Sequence, residues 1–146
     1  MNYTASSHTR FQSTPVLVVE DSSPVRTMVR RMLFELGMRT IMDAGDMVEA
    51  LAALKKVTPG LILIDWYLPE GTCDELVRII RDPRRSSCPN VPIVALTSLP
   101  TVSVVDKAHE LRINSLLRKP FSPRMLWDHV SAALPESRAP TSARRV

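Results

Sequence analysis

The fold of this chain is decided by one stretch, Leu61-Ile62-Leu63-Ile64-Asp65-Trp66-Tyr67-Leu68-Pro69. Its four consecutive aliphatic residues predict a strand that is buried on both faces, as in a parallel sheet covered by helices. Asp65 ends the apolar run, and Pro69 and Gly71 then interrupt the regular structure. Because open α/β sheets bind ligands at the carboxyl ends of their strands, Asp65 is a candidate functional residue.

The composition is that of an ordinary globular domain. The 146 residues are 45% hydrophobic and 23% charged, and the formal net charge is +4. Residues 15–135 contain 15 Lys and Arg against 14 Asp and Glu, so most of the net charge lies in the terminal segments. We therefore expect one domain over residues 15–135, a flexible segment over 1–14 and a flexible basic tail over 136–146. A charge placed in this way gives little support to nucleic-acid binding, and none is expected.

Cysteine usage and hydropathy indicate the compartment. Cys73 and Cys88 are too few and too irregularly spaced to form a disulfide framework or a zinc site. No apolar run resembles a signal peptide or reaches the ~18 residues of a membrane span. The sequence therefore predicts a reduced, cytoplasmic protein with no membrane partner.

The strand-then-break pattern around Asp65 recurs along the chain. Val16–Val19 is a second continuous apolar run, and it ends in Glu20 and Asp21. Three more strands are predicted at 39–43, 91–97 and 113–117. Helices are predicted from Ser22 or Ser23 to Leu36, from Asp46 to Val57, from Asp74 to Arg81, from Thr101 to Leu111 and from Ser122 to Leu134. Five strand-helix units with mostly short connections predict a parallel sheet with helices on both faces.

Polar residues follow four of these strands at the point where each strand ends. Glu20 and Asp21 follow the first strand, Asp65 the third, Thr97 the fourth and Lys119 the fifth. Because the carboxyl ends of parallel strands share one edge of the sheet, these groups could line one crevice. Three close carboxylates repel one another unless a cation joins them, and Mg²⁺ suits a few carboxylates, a main-chain carbonyl and water. Such a site could stabilise an anion that arrives on Asp65, above all a phosphoryl group.

These strand ends resemble the receiver domain of two-component response regulators, including the chemotaxis-type single-domain group. The resemblance covers roughly residues 15–134, and four motifs carry it together. They are Val18-Val19-Glu20-Asp21-Ser22, Leu63-Ile64-Asp65-x-x-Leu68-Pro69, Ala95-Leu96-Thr97-Ser98 and Lys119-Pro120-Phe121. The resemblance implies a receiver domain over 15–135 with a flavodoxin-like, five-stranded parallel sheet in the order 2-1-3-4-5.

The resemblance also implies a metal site. Asp21 would bind Mg²⁺ directly together with Asp65, and Glu20 would hold the ion through water. The main-chain carbonyl of Tyr67 would complete the protein ligands. Mg²⁺ is therefore the expected cofactor.

The chemistry implied by the resemblance is phosphoryl transfer to Asp65. The Thr97 hydroxyl would move to meet the phosphoryl oxygens, and the Lys119 ammonium would pair with them. The donor would be a sensor histidine kinase or a phosphotransfer protein, and a downstream protein target would recognise the phosphorylated form. The expected contact surface comprises the fourth helix, fifth strand and last helix, and a homodimer could use it. Val102, Val104 and Val105 on the fourth helix cannot all face the core, so at least one of them is expected to be exposed.

Several residues depart from the family pattern. Leu116 stands where receivers usually carry the Tyr or Phe that rotates inward on phosphorylation. Met47, Cys73 and Arg112 stand where the family favours glycine. A positive φ at these positions would cost about 1 kcal/mol each, so we expect the local backbone to differ and the third-strand loop to turn at Gly71 instead.

Two bulky residues occupy the positions that tune phosphoryl lifetime in the family. They are Tyr67, two residues after Asp65, and Leu99, two residues after Thr97. Neither offers a carboxylate or amide that could orient an attacking water. We therefore expect slow autodephosphorylation.

Three functions are compatible with these observations. The first is a single-domain response regulator that no effector domain follows and that signals by protein binding. The second is a phosphorylation-independent adaptor or dimerisation module with a receiver fold, which Leu116 and the missing glycines favour. The third, a hydrolase with Asp65 as nucleophile, lacks an evident general acid, so beyond its own phosphorylation and dephosphorylation no enzyme activity is expected.

Overall fold

The computed structural model describes residues 11–134. Five strands, β1 (Val16–Val19), β2 (Ile41–Ala44), β3 (Leu61–Asp65), β4 (Ile93–Thr97) and β5 (Ser115–Arg118), form the main sheet. Five helices, α1 (Ser23–Glu35), α2 (Met47–Lys56), α3 (Asp74–Arg81), α4 (Val102–Glu110) and α5 (Pro123–Ala133), alternate with them. No helix in the described range has both the length and the apolar character needed to cross a bilayer. The tail predicted at 136–146 lies outside the described residues, as does 1–10 of the predicted N-terminal segment.

The sheet has the strand order β2-β1-β3-β4-β5, and all four neighbouring pairs are parallel. The predicted fold class and order are therefore confirmed. A short antiparallel hairpin, Tyr67–Leu68 with Gly71–Thr72, follows β3 and was not predicted. Pro69 and Gly71 predicted an interruption of regular structure here. The two-residue strands on either side are too short to show the alternation of apolar and polar residues from which a strand is predicted.

Three strands begin two residues later than predicted, and before two of them the preceding residues close turns. The N–H of Val91 donates to Cys88 O at 3.1 Å, and β4 starts only at Ile93. The N–H of Ile113 donates to Ala108 O at 2.9 Å and so belongs to the end of α4. β2 likewise starts at residue 41 rather than 39.

β3 is buried at all five positions because helices cover both faces of the sheet. Leu61 and Leu63 pack in the core cluster that includes α1 and α5. Ile62 and Ile64 pack in the cluster that includes α2, α3 and α4. This alternation is the two-residue period of a strand, and it explains why the run is continuously apolar.

The packed body extends further toward the N-terminus than predicted. Phe11 is only 1% exposed, and its ring centroid lies 5.3 Å from that of Trp127 on α5. The N–H of Thr14 donates to Phe11 O at 3.1 Å. The prediction of a flexible segment is therefore wrong for residues 11–14, where one aromatic side chain in a polar stretch closes the core over α5.

Side-chain caps start the helices at the edge where the strands end. Ser22 Oγ accepts from Val25 N–H at 3.4 Å, as predicted for α1. Three further side-chain oxygens accept a backbone hydrogen bond and fix the starts of α2, α4 and α5. Asp46 accepts from Glu49 N–H, Thr101 from Val104 N–H and Ser122 from Met125 N–H. Each cap satisfies a backbone donor that the first helical turn leaves open.

Arg112 adopts a left-handed conformation, with φ 58°. Its N–H donates to His109 O at 3.0 Å while Ile113 N–H donates to Ala108 O at 2.9 Å. These two bonds end α4 in a Schellman motif, whose left-handed position favours glycine. The expectation that the backbone would avoid positive φ is therefore wrong at Arg112.

The same expectation holds at the other two positions. Met47 is the first residue of α2, and Cys73 has φ −72°. The left-handed residue in the loop after β3 is Gly71, with φ 137°. The predicted turn at Gly71 is confirmed.

Candidate functional site

The sheet register brings the predicted site residues to one edge. Val19 pairs with Ile64, so Glu20 and Asp65, each the next residue along, lie side by side. Lys119 follows β5 directly. Residues 99 positions apart in the chain therefore meet, as the sequence predicted.

Lys119 contacts two of the carboxylates. Its Nζ donates to Glu20 Oε1 at 3.0 Å and to Asp65 Oδ2 at 3.1 Å. Glu20 is 1% exposed and Asp65 8% exposed. Burial lowers the pKa of the Lys119 ammonium, but the hydrogen bond to Glu20 and the charge of Asp65 outweigh it, so the pKa is raised overall. Lys119 is therefore a permanent cation beside Asp65.

The carboxylates form a cluster that could hold a metal ion. Oxygen atoms of Glu20, Asp21 and Asp65 lie within 4.8 Å of one another. Three carboxylates and one ammonium leave two negative charges uncompensated, which matches a divalent cation. Oxygen ligands with few protein carboxylates are what Mg²⁺ takes in proteins. The residues present therefore fit Mg²⁺.

Glu20 is held in place by three residues: Lys119, as described above, Ser22 and Arg26. Its Oε2 accepts from Ser22 N–H at 3.0 Å, and its main-chain carbonyl accepts from Arg26 Nη1 at 2.6 Å. Arg26 also lies 3.7 Å from Asp43. No local motif in the sequence links Arg26 to Glu20, so only the structure reveals this support.

Thr97 and Tyr67 flank the cluster. Thr97 is 2% exposed, and its hydroxyl accepts from Leu99 N–H at 3.2 Å. Its main-chain carbonyl accepts from Lys119 N–H at 2.9 Å, which joins the ends of β4 and β5. Tyr67 lies two residues past Asp65 in the hairpin with its side chain 61% exposed. Its carbonyl as a metal ligand stays a prediction.

Arg81 is a buried cation that sequence reasoning missed. Its guanidinium donates to the main-chain carbonyls of Val91 and Arg112 at 2.7 Å, Pro89 at 3.0 Å and Leu111 at 3.3 Å. Burial, and then the charge of Arg112, lower the pKa of the Arg81 guanidinium. The side chain ties the end of α3 to the turns that enter β4 and β5, the strands that carry Thr97 and Lys119.

The α4 and β5 surface has the exposure that the sequence predicted. Val102 is 78% exposed and Val105 38% exposed, whereas Val104 is buried. At least one of these valines was expected outside the core, and two are. Leu116 is partly buried and packs against the core cluster beneath α4.

The comparisons place this arrangement in a family. A family model described as the response regulator receiver domain matches residues 16–131. The chain belongs to this family. The acidic edge and Lys119 are thus parts of a receiver, whose general role is phosphorylation-dependent signalling in two-component systems.

Named relatives fall into two groups. The chain is 31% identical to the phosphate regulon transcriptional regulatory protein PhoB of Klebsiella pneumoniae over 119 residues, which are 82% of this chain and 51% of that protein. It therefore spans about half the length of this relative. It is also 31% identical to the chemotaxis protein CheY1 of Helicobacter pylori, over 82% of this chain and 95% of that protein. The solved structure of chemotaxis protein CheY4 of Vibrio cholerae matches with a TM-score of 0.76 at 29% identity, covering 83% of this chain and 98% of that one.

Proposed function

We propose that this receiver works as a single-domain response regulator of a two-component phosphorelay. It accepts a phosphoryl group on Asp65 from a sensor histidine kinase or a phosphotransfer protein. The observation that carries the proposal is the ammonium of Lys119, which lies within 3.1 Å of both Glu20 and Asp65 at the acidic edge. CheY1, which is matched over 95% of its length, is a relative whose length agrees with the single-domain part of the proposal, whereas PhoB is matched over 51% of its length.

In the proposed reaction a carboxylate oxygen of Asp65 attacks the phosphorus of a phosphohistidine. A P–O bond forms as the P–N bond breaks, and the imidazole leaves with the electron pair of the broken bond. Lys119 pairs with the negative charge that the phosphoryl group brings, because its ammonium already lies beside Asp65.

Thr97 links this event to α4. Its hydroxyl accepts from Leu99 N–H and keeps its own O–H available to donate to a phosphoryl oxygen, so a movement of Thr97 toward that oxygen would pull on Leu99. Leu99 and the capping residue Thr101 are joined by a hydrogen bond of 2.8 Å between Thr101 N–H and Leu99 O. A shift of Thr97 is thereby passed to the first turn of α4.

We propose that Glu20, Asp21, Asp65 and the main-chain carbonyl of Tyr67 hold Mg²⁺. When bound, the ion would neutralise charge on the carboxylates and on the phosphoryl oxygens. Both oxygens of Glu20 already accept a hydrogen bond, from Lys119 and from Ser22, which supports a water-mediated role for this residue.

The proposed output is binding of a downstream protein target. Val102 and Val105 on α4 are exposed and support a contact surface on α4, β5 and α5, which a homodimer could also use. Beyond its own phosphorylation and dephosphorylation the receiver would catalyse no reaction. A cytoplasmic location belongs to the same proposal and is supported by the free thiols of Cys73 and Cys88.

The second candidate is a phosphorylation-independent adaptor. It is favoured by Leu116, whose side chain has no hydroxyl to move between a buried and an exposed hydrogen-bonding position. Under this alternative the target would bind equally well whether or not Asp65 carries a phosphoryl group.

The deciding experiment uses the fluorescence of Trp66, which is buried directly after Asp65. A Trp127→Phe background leaves Trp66 as the single tryptophan. Mg²⁺ and then acetyl phosphate or beryllofluoride are titrated into this protein and into the same protein carrying Asp65→Asn. The samples are also analysed by size-exclusion chromatography and intact mass spectrometry.

A saturable fluorescence change and a phosphoryl mass adduct, both lost in Asp65→Asn, are expected. A change in elution volume would show that dimerisation is part of the output. If neither adduct nor fluorescence change forms, the adaptor is the better description.

A further inference from the structure

A cavity of about 530 Å³ opens at the end of the molecule opposite Asp65. It lies between the last turn of α2, the outer face of α3 and the loop at residues 85–88. Its size falls within the range of roughly 300–1,000 Å³ that is typical of small-molecule sites. α2 and α3 both begin at the phosphorylation edge, so this cavity marks their far ends.

The walls of the cavity are apolar and its rim is basic. Leu51, Leu54, Ile79 and Ile80 supply aliphatic surface. Cys88 also lines the cavity. An aliphatic wall of this kind favours a ligand with an apolar body.

Three cations surround this apolar surface, namely Lys55, Lys56 and Arg85. No acidic residue of the described chain lines the cavity. Arg85 donates through Nε to Asp82 at 3.2 Å, which uses one of its five N–H donors. The structure gives Lys55 and Lys56 no ion-pair partner within residues 11–134.

Hydroxyl groups complete the polar side. Thr58 Oγ1 and Ser87 Oγ lie 3.4 Å apart and close one end of the cavity. Ser86 Oγ accepts from Cys88 N–H at 3.0 Å and so fixes the loop that carries the thiol. Hydroxyls beside cations are suitable donors to carboxylate or phosphate oxygens.

We propose that this cavity binds a small organic anion, a carboxylate or phosphate attached to an apolar body. The anionic head would lie against Lys55, Lys56 and Arg85, and the apolar body would cover the aliphatic wall. The site shares no residue with the acidic edge, so binding does not depend on Asp65.

The lysines also have a simpler explanation, because cations in the last turn of a helix interact favourably with its dipole. That effect requires neither a ligand nor the cavity. A direct binding test separates the two explanations.

The test uses three probes of one shape: 4-phenylbutyrate, the neutral 4-phenylbutanol and the cationic 4-phenylbutylamine. Each is titrated into the full chain labelled with ¹⁵N, and amide shifts are followed by NMR. We expect saturable shifts for 4-phenylbutyrate at Leu54, Ile79 and Cys88, weaker ones for the alcohol and none for the amine. Shifts that do not saturate, that map elsewhere, or that are equal for the amine would overturn the proposal.

A charge-reversal variant tests the rim. Lys55→Glu combined with Lys56→Glu should weaken 4-phenylbutyrate binding about fivefold, which is the equivalent of about 1 kcal/mol of exposed ion pairing. Binding to the wild-type chain should weaken with added salt. The exposed Arg31→Glu on α1 is the matched control, and Asp65→Asn should bind normally. Equal affinity of the double variant and the control would show that the lysines serve only their helix.

Cys88 offers a second readout that does not depend on NMR. Cys73 is buried and its thiol pKa is raised to about 12, so iodoacetamide should label Cys88 selectively. 4-Phenylbutyrate should slow this labelling, and the concentration for half-maximal protection should be about fivefold higher in the double lysine variant than in wild type. An unchanged labelling rate at saturation would place the probe outside the cavity and overturn the proposal.

Discussion

The Lys119 ammonium lies 3.1 Å from Asp65 Oδ2, although 54 residues separate the two in the chain. The same ammonium bonds Glu20, so one cation serves both buried carboxylates of the edge. It leaves the cluster of Glu20, Asp21 and Asp65 with a net charge of about −2. The site is therefore arranged to take up a divalent cation and to meet a phosphoryl group with a positive charge already in place.

Lys119→Met should separate these two roles. Without the ammonium, the carboxylates repel one another more strongly and should bind Mg²⁺ more tightly. Phosphorylation of Asp65 by acetyl phosphate should slow about a hundredfold or more, because a preorganised charge partner is lost. Mg²⁺ titration and intact mass spectrometry measure the two effects, with Arg118→Met as the neighbouring control. Weaker Mg²⁺ binding in Lys119→Met would contradict this account of the charge balance.

Tyr67→Asn should shorten the lifetime of the phosphoryl group. Tyr67 and Leu99 are 61% and 65% exposed at the edge of the site and offer no group that orients a water for attack. A hydrogen bond from a new amide is worth about 0.5–1.5 kcal/mol, so hydrolysis should accelerate about threefold to tenfold. The decay of the phosphorylated mass measures it, and Tyr67→Phe should decay like wild type. If Tyr67→Asn decays no faster, the lack of a water-orienting group at this position does not govern the lifetime.

Arg81→Met should destabilise the fold by about 3 kcal/mol. The buried guanidinium donates to four carbonyls, and its loss leaves them without these partners. Arg81→Lys should recover only part of the loss, because an ammonium cannot reproduce the planar fork. Urea unfolding gives the values, and Arg84→Met, at a side chain 88% exposed, should change stability by less than about 0.5 kcal/mol. Equal effects of the two substitutions would mean that the four bonds contribute nothing.

Arg112→Gly should stabilise the receiver by about 0.5–1 kcal/mol. Arg112 has φ 58°, a left-handed conformation that is strained for a residue with a side chain. Removing this strain should stabilise the fold by more than the larger conformational entropy of glycine in the unfolded chain destabilises it. Gly37→Ala is the reciprocal variant, since Gly37 ends α1 with φ 107°, and it should lose at least about 1 kcal/mol. Both are read from urea unfolding. A destabilising Arg112→Gly would show that the arginine side chain stabilises the turn by more than the strain costs.

Cys73 should make stability fall at alkaline pH. Burial raises the pKa of its thiol from 9.0 to about 12, so the folded state keeps a proton that the unfolded state releases above pH 9. The stabilising contribution is full below pH 9 and is lost as the pH rises toward 12. Between pH 8 and 10, wild type should lose about 1 kcal/mol more than Cys73→Ala. Parallel pH profiles of the two proteins would exclude this linkage.

The sequence specified the sheet through strictly local patterns. The apolar runs at 16–19 and 61–65 have the composition of strands buried on both faces, and helices covering both faces follow from that requirement. Caps such as Ser22 and the end signal at Gly37 are also local, which is why the limits of α1 were predicted closely. The β4 and β5 starts were less accurate, because turn hydrogen bonds rather than composition decide where these strands begin.

The kind of site could also be read from the sequence, because each acidic or basic residue follows a strand whose end must lie at a common edge. The contacts that join distant segments could not be predicted from the sequence. The burial of Arg81, the support of Glu20 by Arg26 and the packing of Phe11 on Trp127 depend on which surfaces the helices cover. Local pattern therefore determined the sheet, the helix starts and the placement of Glu20, Asp65 and Lys119 at one edge. Tertiary packing alone decided which charges are buried, which are shared and which cavity remains open, because burial and ion pairing depend on long-range distances that no local period encodes.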